Sequence, residues 1–285
     1  MANIRLIRRR IRGIQSTAKI TRAMEMIATL KMRRAQERGL AGRPYSEKIF
    51  QVIADLAALP QEGEPMHPLL QRRPVNKIAI VHITPDRGLC GGLNTGVNRK
   101  TASFIVEQSV SSAIIVVGRK GRDFMRRHKC DILAEFTQLG DKPSLLDTLP
   151  ISRIIIDDYS NGVIDLVYLV YAQFISTMTQ KPVLQQILPV EPATIPIGEN
   201  VTYIYEPGAD AVLGELLPRF VEMQVYHAIL ESIASEHSAR MVAMRNATDG
   251  ANELVQDLTL MYNKARQEAI TGELLDIAGG VAALA

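Results

Sequence analysis

Both ends of this chain carry an apolar repeat of helical period that runs far longer than an ordinary helix, and this constrains the fold more than any other feature. Near the start, Ile4, Ile7, Ile11, Ile14, Ala18, Thr21, Ala28, Met32 and Ala35 recur mostly three or four residues apart, behind Asn3 as an N-cap and with Gly13 the interruption. Glu25 falls on this stripe, with Met24 and Ile27 as apolar cover beside it. Near the end, Leu230, Ala234, His237, Met241, Met244, Thr248, Ala251, Val255, Leu258, Tyr262, Ala265 and Ala269 keep the same repeat. The first pattern continues past Gly39, Gly42 and Pro44 to Leu59, and the second begins after Glu206, with Pro218 the place for a bend. At about 1.5 Å per residue, arms of about 55 and about 75 residues span on the order of 80 and 110 Å. Two such stripes bury each other most simply as an antiparallel coiled coil.

If both arms start level, the longer one outruns its partner by about 20 residues, roughly 30 Å. Its last stretch, Glu268 to Ala285, ends in Ile277-Ala278-Gly279-Gly280-Val281-Ala282-Ala283-Leu284-Ala285, small and apolar on every side and with no cover from the chain itself. An all-round apolar helix belongs in a buried setting, and left exposed it invites aggregation. The tip is therefore expected inside another protein.

Between the arms, Pro60, Gly63, Pro65, Pro68 and Pro74 mark a linker, and residues 77–206 alternate strands and helices. Ile78 to Thr84 and Ala113 to Gly118 read as Ile/Val-rich strands of a parallel sheet, with Ile132 to Phe136 a third. Thr95 to Gln108, Gly118 to Lys129 and Ser144 to Tyr159 read as helices, and Val163 to Ile175 with Pro182 to Val190 as a strand pair. The expected fold is α/β, a Rossmann-like central domain combined with a long antiparallel coiled coil. Its parts are an N-terminal helix 1–59, a linker 60–76, the α/β domain 77–206 and a C-terminal helix with apolar tip 207–285.

Charge is uneven. The net charge is +3, yet the first 38 residues hold eleven Lys or Arg against Glu25 and Glu37, leaving 22 basic and 28 acidic residues elsewhere. A cationic arm on a mildly acidic body calls for an anionic partner, whether nucleic acid, an acidic protein surface or anionic lipid, unless it is simply a solvated helix face. With 47% hydrophobic residues among 285, the chain can bury a core, and its apolar runs are too short to span a membrane. Met1 leads straight into the Arg-rich helix without a secretory pattern, so the chain is expected to stay in the cytoplasm.

Few residues point to chemistry. Cys90 and Cys130 stand apart in no metal or redox spacing and read as reduced thiols, and the five histidines form no ligand motif. Pro85-Asp86-Arg87-Gly88-Leu89-Cys90-Gly91-Gly92-Leu93-Asn94 lies between a strand and a helix, where phosphate loops lie, but lacks GxGxxG and the Gly-Lys-Ser/Thr of a P-loop. Gly118-Arg119-Lys120-Gly121 fits neither pattern, and tight turns with close strand–helix packing are the expected reading. Cys90 reads as a buried thiol and His237 as a packed, hydrogen-bonded seam residue. Met24, Met26, Met32, Met241, Met244 and Met261 suit an adaptable seam. A coiled-coil nucleic-acid-binding protein is the alternative these features allow, although residues 1–44 hold no aromatic side chain for base stacking.

Four stretches resemble the γ subunit of F-type ATP synthases, in order and over essentially the whole chain. They are Gln15-Ser16-Thr17-Ala18-Lys19-Ile20-Thr21-Arg22-Ala23-Met24-Glu25-Met26-Ile27-Ala28, the Asp86-to-Asn94 turn, Ser235-Glu236-His237-Ser238-Ala239-Arg240-Met241-Val242-Ala243-Met244, and Tyr262-Asn263-Lys264-Ala265-Arg266-Gln267-Glu268-Ala269-Ile270-Thr271. The bacterial form is the most similar. The resemblance implies a central rotor shaft, one per complex, whose coiled coil enters a hexamer of three α and three β subunits. The α/β domain would sit with ε on the membrane's c-ring, at the cytoplasmic face of the plasma membrane and without a span of its own. It implies torque transmission for ATP synthesis, or in reverse for proton pumping, with no catalysis, cofactor, metal or nucleic acid on this chain.

The resemblance also assigns residues. Lys19, Arg22, Met24 and Lys31 match the family's contact with acidic loops of β. Arg266, Gln267, Thr271 and Glu273 match an upper hydrogen-bonded contact with β. Ile277, Val281 and Leu284 match the segment in the hexamer's sleeve, and Tyr203, Tyr205 and Glu206, with Ile204 between them, match the part near the c-ring and ε. Gly272, Gly279 and Gly280 put three glycines in the last helix, where the family more often has polar or small side chains at the first two positions, and each costs about 1 kcal/mol of helix stability against Ala. The free tip is therefore expected to fray and to order only inside the hexamer.

Overall fold

A computed structural model describes residues 4–58, 67–190, 206 and 208–284. Its elements in chain order are α1 (Ile4–Ala58), a 3₁₀ turn (Pro68–Leu70), β1 (Lys77–Ile83), α2 (Leu93–Glu107), β2 (Ser111–Val117), α3 (Arg119–Arg127), β3 (Ile132–Phe136), α4 (Leu145–Ser160), β4 (Leu166–Phe174), β5 (Gln180–Leu188) and α5 (Ala209–Leu284). Both long helices run unbroken through their prolines, Pro44 and Pro218. The chain divides into two compact units, residues 4–28 with 241–284, and residues 29–240.

The larger unit is built on a five-stranded sheet of order β3-β2-β1-β4-β5. β1 pairs in parallel with β2 and β4, β2 in parallel with β3, and β5 returns antiparallel along β4. Parallel strands are covered on both faces, which explains why Ile78, Ala79, Ile80, Val81 and Ile83 form a continuous apolar run and are all buried. The alternation of the pleat then sorts them. Ala79, Val81 and Ile83 join the core made by α4 (Ile151, Ile155, Tyr159), by Ile49 and Ile53 of α1, and by α5 from Leu213 to Ala234. Ile78 and Ile80 face Leu93, Val97 and Phe104 of α2, while Ile114 and Val116 of β2 face Met125 of α3. Ser144 opens α4, its backbone N–H and its hydroxyl both donating to the Asp147 carboxylate at 2.7 and 2.8 Å.

Two glycines show why the Gly118–Gly121 run exists. A Cβ on Gly118, whose φ is +93°, would meet the Thr84 carbonyl oxygen at 1.8 Å, and one on Gly121 would meet the His82 ring at 2.5 Å. The run lets α3 lie directly on the end of β1; Gly121 N–H donates to Thr84 Oγ1 at 2.7 Å.

The smaller unit is a helix pair. The hydroxyls of Thr21 and Thr248 lie 2.7 Å apart, and Arg245 reaches Glu25 at 3.3 Å. Contacts whose numbers rise on α1 as they fall on α5 make the pair antiparallel. Ala18, Thr21, Ala28, Met244, Thr248, Ala251 and Ala265 are buried in this unit. Glu25, which sat awkwardly on the stripe, is accommodated by an arginine across the seam. Two expectations need correction. Met26 and Met261 are 58% and 61% exposed and Ile27 is 53% exposed, so none of them lies in the seam. Of the other methionines expected there, Met32 and Met244 are buried and Met24 and Met241 half-buried, and Ala and Thr fill the positions where the two helices of the pair approach closely.

Candidate functional site

Two places concentrate unusual side chains, the end of α5 in one unit and the carboxyl edge of the sheet in the other. The register set by Thr21 opposite Thr248 places Ile4 opposite Ala265, which is buried. Arg266 to Leu284 therefore run on past Ile4, roughly 28 Å of helix. Along it Ile270, Leu274, Ile277 and Val281 repeat at helical spacing and are 49–66% exposed, with Leu275 at 67%. Arg266, Gln267, Thr271 and Glu273, matched by the resemblance to a contact with β, are exposed on the same stretch. The Leu284 side chain, Tyr203, Ile204 and Tyr205 lie outside the described residues, and Glu206 is exposed.

The cationic arm divides. Lys19 and Arg22 are exposed and Met24 is half-buried, all in the helix pair. Lys31 belongs to the other unit, where its ammonium binds Asp141 Oδ2 at 2.6 Å. The sequence pattern grouped it with Lys19 and Arg22, but its charge already has a partner within the chain.

At the sheet's carboxyl edge, α5 is tied to three separate loops by consecutive residues of the Ser235-to-Met244 stretch. Arg240 donates to the Gly88 carbonyl after β1 at 3.1 Å and pairs with Glu236 at 2.6 Å. His237 presents Nε2 to Asp141 Oδ1 in the loop after β3, at 3.3 Å and outside hydrogen-bonding geometry. Ser238 donates to the Thr177 carbonyl in the β4–β5 turn at 2.7 Å and accepts from Gln180 Nε2 at 3.2 Å. Asp86 holds the loops to each other: its carboxylate accepts from the backbone N–H of Arg119, at the start of α3, and of Gln138, both at 2.9 Å. An acid there complements the positive end of α3, which gives the Asp86-Arg87-Gly88 turn a structural purpose. Asp141 and Thr177 had no signal in the sequence, because each acquires its role only from a partner far along the chain.

The ionisable groups here are tuned by burial. It lowers the His237 pKa to about 4, Asp141 pulling upward against it, so the ring is neutral; Arg240 donates to its Nδ1 at 3.3 Å, which places the proton on Nε2. Burial likewise raises Glu236 despite the Arg240 guanidinium beside it. Asp141 is held below its ordinary range: burial works upward, but the Lys31 hydrogen bond with the charges of His237, Lys31 and Arg87 outweighs it. Beneath α2, His82 is fully buried between Asn98 Oδ1 at 2.9 Å and Thr101 Oγ1 at 2.8 Å, and burial lowers its pKa to about 4 although the Asn98 bond works upward.

This edge is where an open α/β sheet places its ligands, but here α5 fills it. The cavity left between the ends of β1, β2 and β3 and Ile229, Ser232, Ile233 and Glu236 has about 50 Å³. That admits a water or two, whereas nucleotide-sized ligands need pockets of roughly 300 Å³ or more. Cys90 is buried, its thiol pushed up by that burial and contacted by Asn94 Nδ2 at 3.3 Å, which is the setting of an inert thiol. Among the described residues no group of three His, Cys, Asp or Glu could hold a metal, and no helix is long and apolar enough to cross a membrane.

Known proteins account for this arrangement. The model of a family described as ATP synthase matches residues 3–284. The ATP synthase gamma chain of Dehalococcoides mccartyi is 69% identical over 285 residues, covering 100% of both chains. That of Herpetosiphon aurantiacus is 50% identical over 293 residues, covering 100% of this chain and 99% of its own. Among solved structures, a chain of the Euglena gracilis mitochondrial ATP synthase in an OSCP/F1/c-ring assembly superposes with a TM-score of 0.66 at 21% identity, over 99% of this chain and 94% of that one. A second chain, from the rotor of the same enzyme, gives 0.64 at 20% identity, over 94% and 98%. At such identities the structures bear on the fold, while the relatives' full-length match bears on descent: the chain belongs to the ATP synthase γ chain family.

Proposed function

We propose that this chain is the central shaft of an F-type ATP synthase and performs no chemistry itself. One copy stands in each complex. The helix pair, 1–59 with 207–285, enters a hexamer of three α and three β subunits; beyond the linker 60–76, the α/β domain 77–206 rests with ε on the c-ring, at the cytoplasmic face of the bacterial plasma membrane. Proton flow turns the shaft, and its asymmetry inside a threefold stator drives each β site in turn through binding, synthesis and release of ATP. Hydrolysis runs the same rotation backwards and pumps protons.

In this reading Lys19, Arg22 and Met24 face acidic loops of β, and Arg266, Gln267, Thr271 and Glu273 hydrogen-bond to β higher up. Ile277, Val281 and Leu284 turn within the hexamer's sleeve, and Tyr203, Tyr205 and Glu206 face the c-ring and ε. The observation that carries the proposal is the stretch past Ala265, where Ile270, Leu274, Ile277 and Val281 lie exposed to solvent among the described residues. Burying what remains exposed of such side chains gains about 1–2 kcal/mol each, a driving force only a partner can collect.

The test is to mix the purified chain with cognate α and β subunits and to measure native mass and ATPase rate. One chain per hexamer, with turnover well above that of the parts, is the expected result. A monomer that ignores α and β but retards duplex DNA with a steep salt dependence would replace the shaft with the nucleic-acid-binding alternative.

A further inference from the structure

Asp141 is placed as a bridge. One carboxylate oxygen accepts from Lys31 of α1 at 2.6 Å, and the other faces His237 of α5 at 3.3 Å. The loop that carries it is anchored in turn, since Gln138 N–H donates to Asp86 at the end of β1. A line of hydrogen bonds thus runs from Asp86 through the 138–141 loop to Lys31 of α1, with His237 of α5 lying beside its end. Lys31, Asp141 and His237 all belong to the larger unit. On α1 the body's apolar core takes in Ala35, one turn along from Lys31, and then Ile49 and Ile53 further on.

We propose that Asp141 and Lys31 form a clamp that fixes α1 to the 138–141 loop of the sheet, so that rotation of the α/β domain passes into this helix without slip. This rests on the shaft reading and makes both side chains positioning residues. It also gives Lys31 a role inside the chain in place of a contact with β. A short charge-assisted hydrogen bond adds to the apolar packing of α1 a contact that holds its helix to one place on the loop. The clamp is half-exposed, at 35% and 45% of the two side chains, so losing it loosens the joint without unfolding the body.

The experiment uses vesicles carrying the complex assembled with its cognate subunits, and compares Lys31→Met, Asp141→Asn, the double variant and Lys31→Arg for ATP hydrolysis and for protons pumped per ATP. The clamp predicts that each single loss lowers the pumping-to-hydrolysis ratio by about twofold or more, that the double variant is no worse than the poorer single, and that Lys31→Arg keeps the ratio. An unchanged ratio in Asp141→Asn overturns the clamp. So does a Lys31→Met defect that adds in full to that of Asp141→Asn, which would mean the lysine acts on a neighbouring subunit. Thermal unfolding of the isolated chains tests the pair directly: the two single shifts in Tm are expected not to add, and additive shifts overturn the pair. If the wild-type chain forms no complex with α and β, the shaft reading fails while the unfolding series still decides the clamp.

Discussion

The tip of α5 offers the most quantitative test, because its three glycines stand in open space. A Cβ built on Gly272, Gly279 or Gly280 meets no atom within 4 Å, so alanine is accommodated without a clash and the full difference in helix propensity is available. That difference is about 1 kcal/mol per glycine. Fraying proceeds from the end: exposing the amides of 274–278 unwinds the helix from Leu284 back through Gly280 and Gly279 but leaves Gly272 wound. Replacing Gly279 and Gly280 together therefore stabilises those amides by about 2 kcal/mol, a slowing of exchange of about 30-fold. Gly272→Ala is the internal control, slowing exchange only at amides whose opening unwinds residue 272. Hydrogen exchange on the free chain, read by peptide mass spectrometry, measures all three. Equal effects from Gly272→Ala and from the pair at 274–278, or no effect from the pair, would refute fraying from the end as the motion that limits the free tip. Equal protection of 272–284 in the free and assembled wild type would refute the further step, that the tip orders only inside a partner.

Other substitutions test the body and the seam. Gly121→Ala places a methyl group 2.5 Å from His82 Cδ2 and 2.6 Å from Thr84 Oγ1, both fixed and buried, and should cost about 1–3 kcal/mol, lowering Tm by several degrees; a shift under about 1 °C in a melting curve would contradict the close packing. In the seam, Thr21→Val leaves the Thr248 hydroxyl without its cross-helix partner and should cost about 1 kcal/mol, while Thr21→Val/Thr248→Val should cost less than the two singles combined, read as a double-mutant cycle in urea. His82 and His237 have native pKa values near 4 against 6.5 when free, so the unfolded chain binds more protons than the native one between these values. Stability should fall as the pH drops through that window, with at least about two protons taken up on unfolding near pH 5; a flat profile from pH 6.5 to 5 would show that the two rings are not held neutral.

Periodicity carried well wherever one element buries itself against a continuous surface. β1, β2 and β3 fall within two residues of the runs read as strands, because a parallel strand covered on both faces has no polar alternation to confuse it. The pair of long helices and the uncovered end of α5 were equally legible, since helical period and length alone imply both. What failed were assignments that depend on a few degrees of rotation. Met26, Ile27 and Met261 sit beside the seam positions and turn outward, because an apolar side chain next to a stripe reads the same as one on it. Lys31 and His237 were read each with its own helix, and His237 is packed and hydrogen-bonded as expected; what no local pattern signals is that both also meet Asp141, 110 residues from one and 96 from the other. Short motifs such as the Asp86 turn and the Ser235-to-Met244 stretch identified the family without showing that they are the two halves of one set of contacts.

The division of contact types along α5 follows from what a turning shaft must do at each place. At the carboxyl edge of the sheet, Arg240 and Ser238 hold two loops through hydrogen bonds that depend on direction, with His237 facing a third, so the helix has one register there. Between residues 270 and 281 the exposed side chains include Ile270, Leu274, Leu275, Ile277 and Val281, whose burial does not depend on direction, beside Thr271, Glu273 and Asp276. A polar tip would find a deep minimum at each orientation that matched a hydrogen bond on the stator, and every such minimum is a barrier to the next step of rotation. An apolar base would let the helices slide on the body that drives them. In the proposed shaft the directional contacts at the base fix the register of α5 and the apolar positions of the tip let it turn, so Ile277→Arg should slow rotation and Ser238→Ala should weaken its coupling.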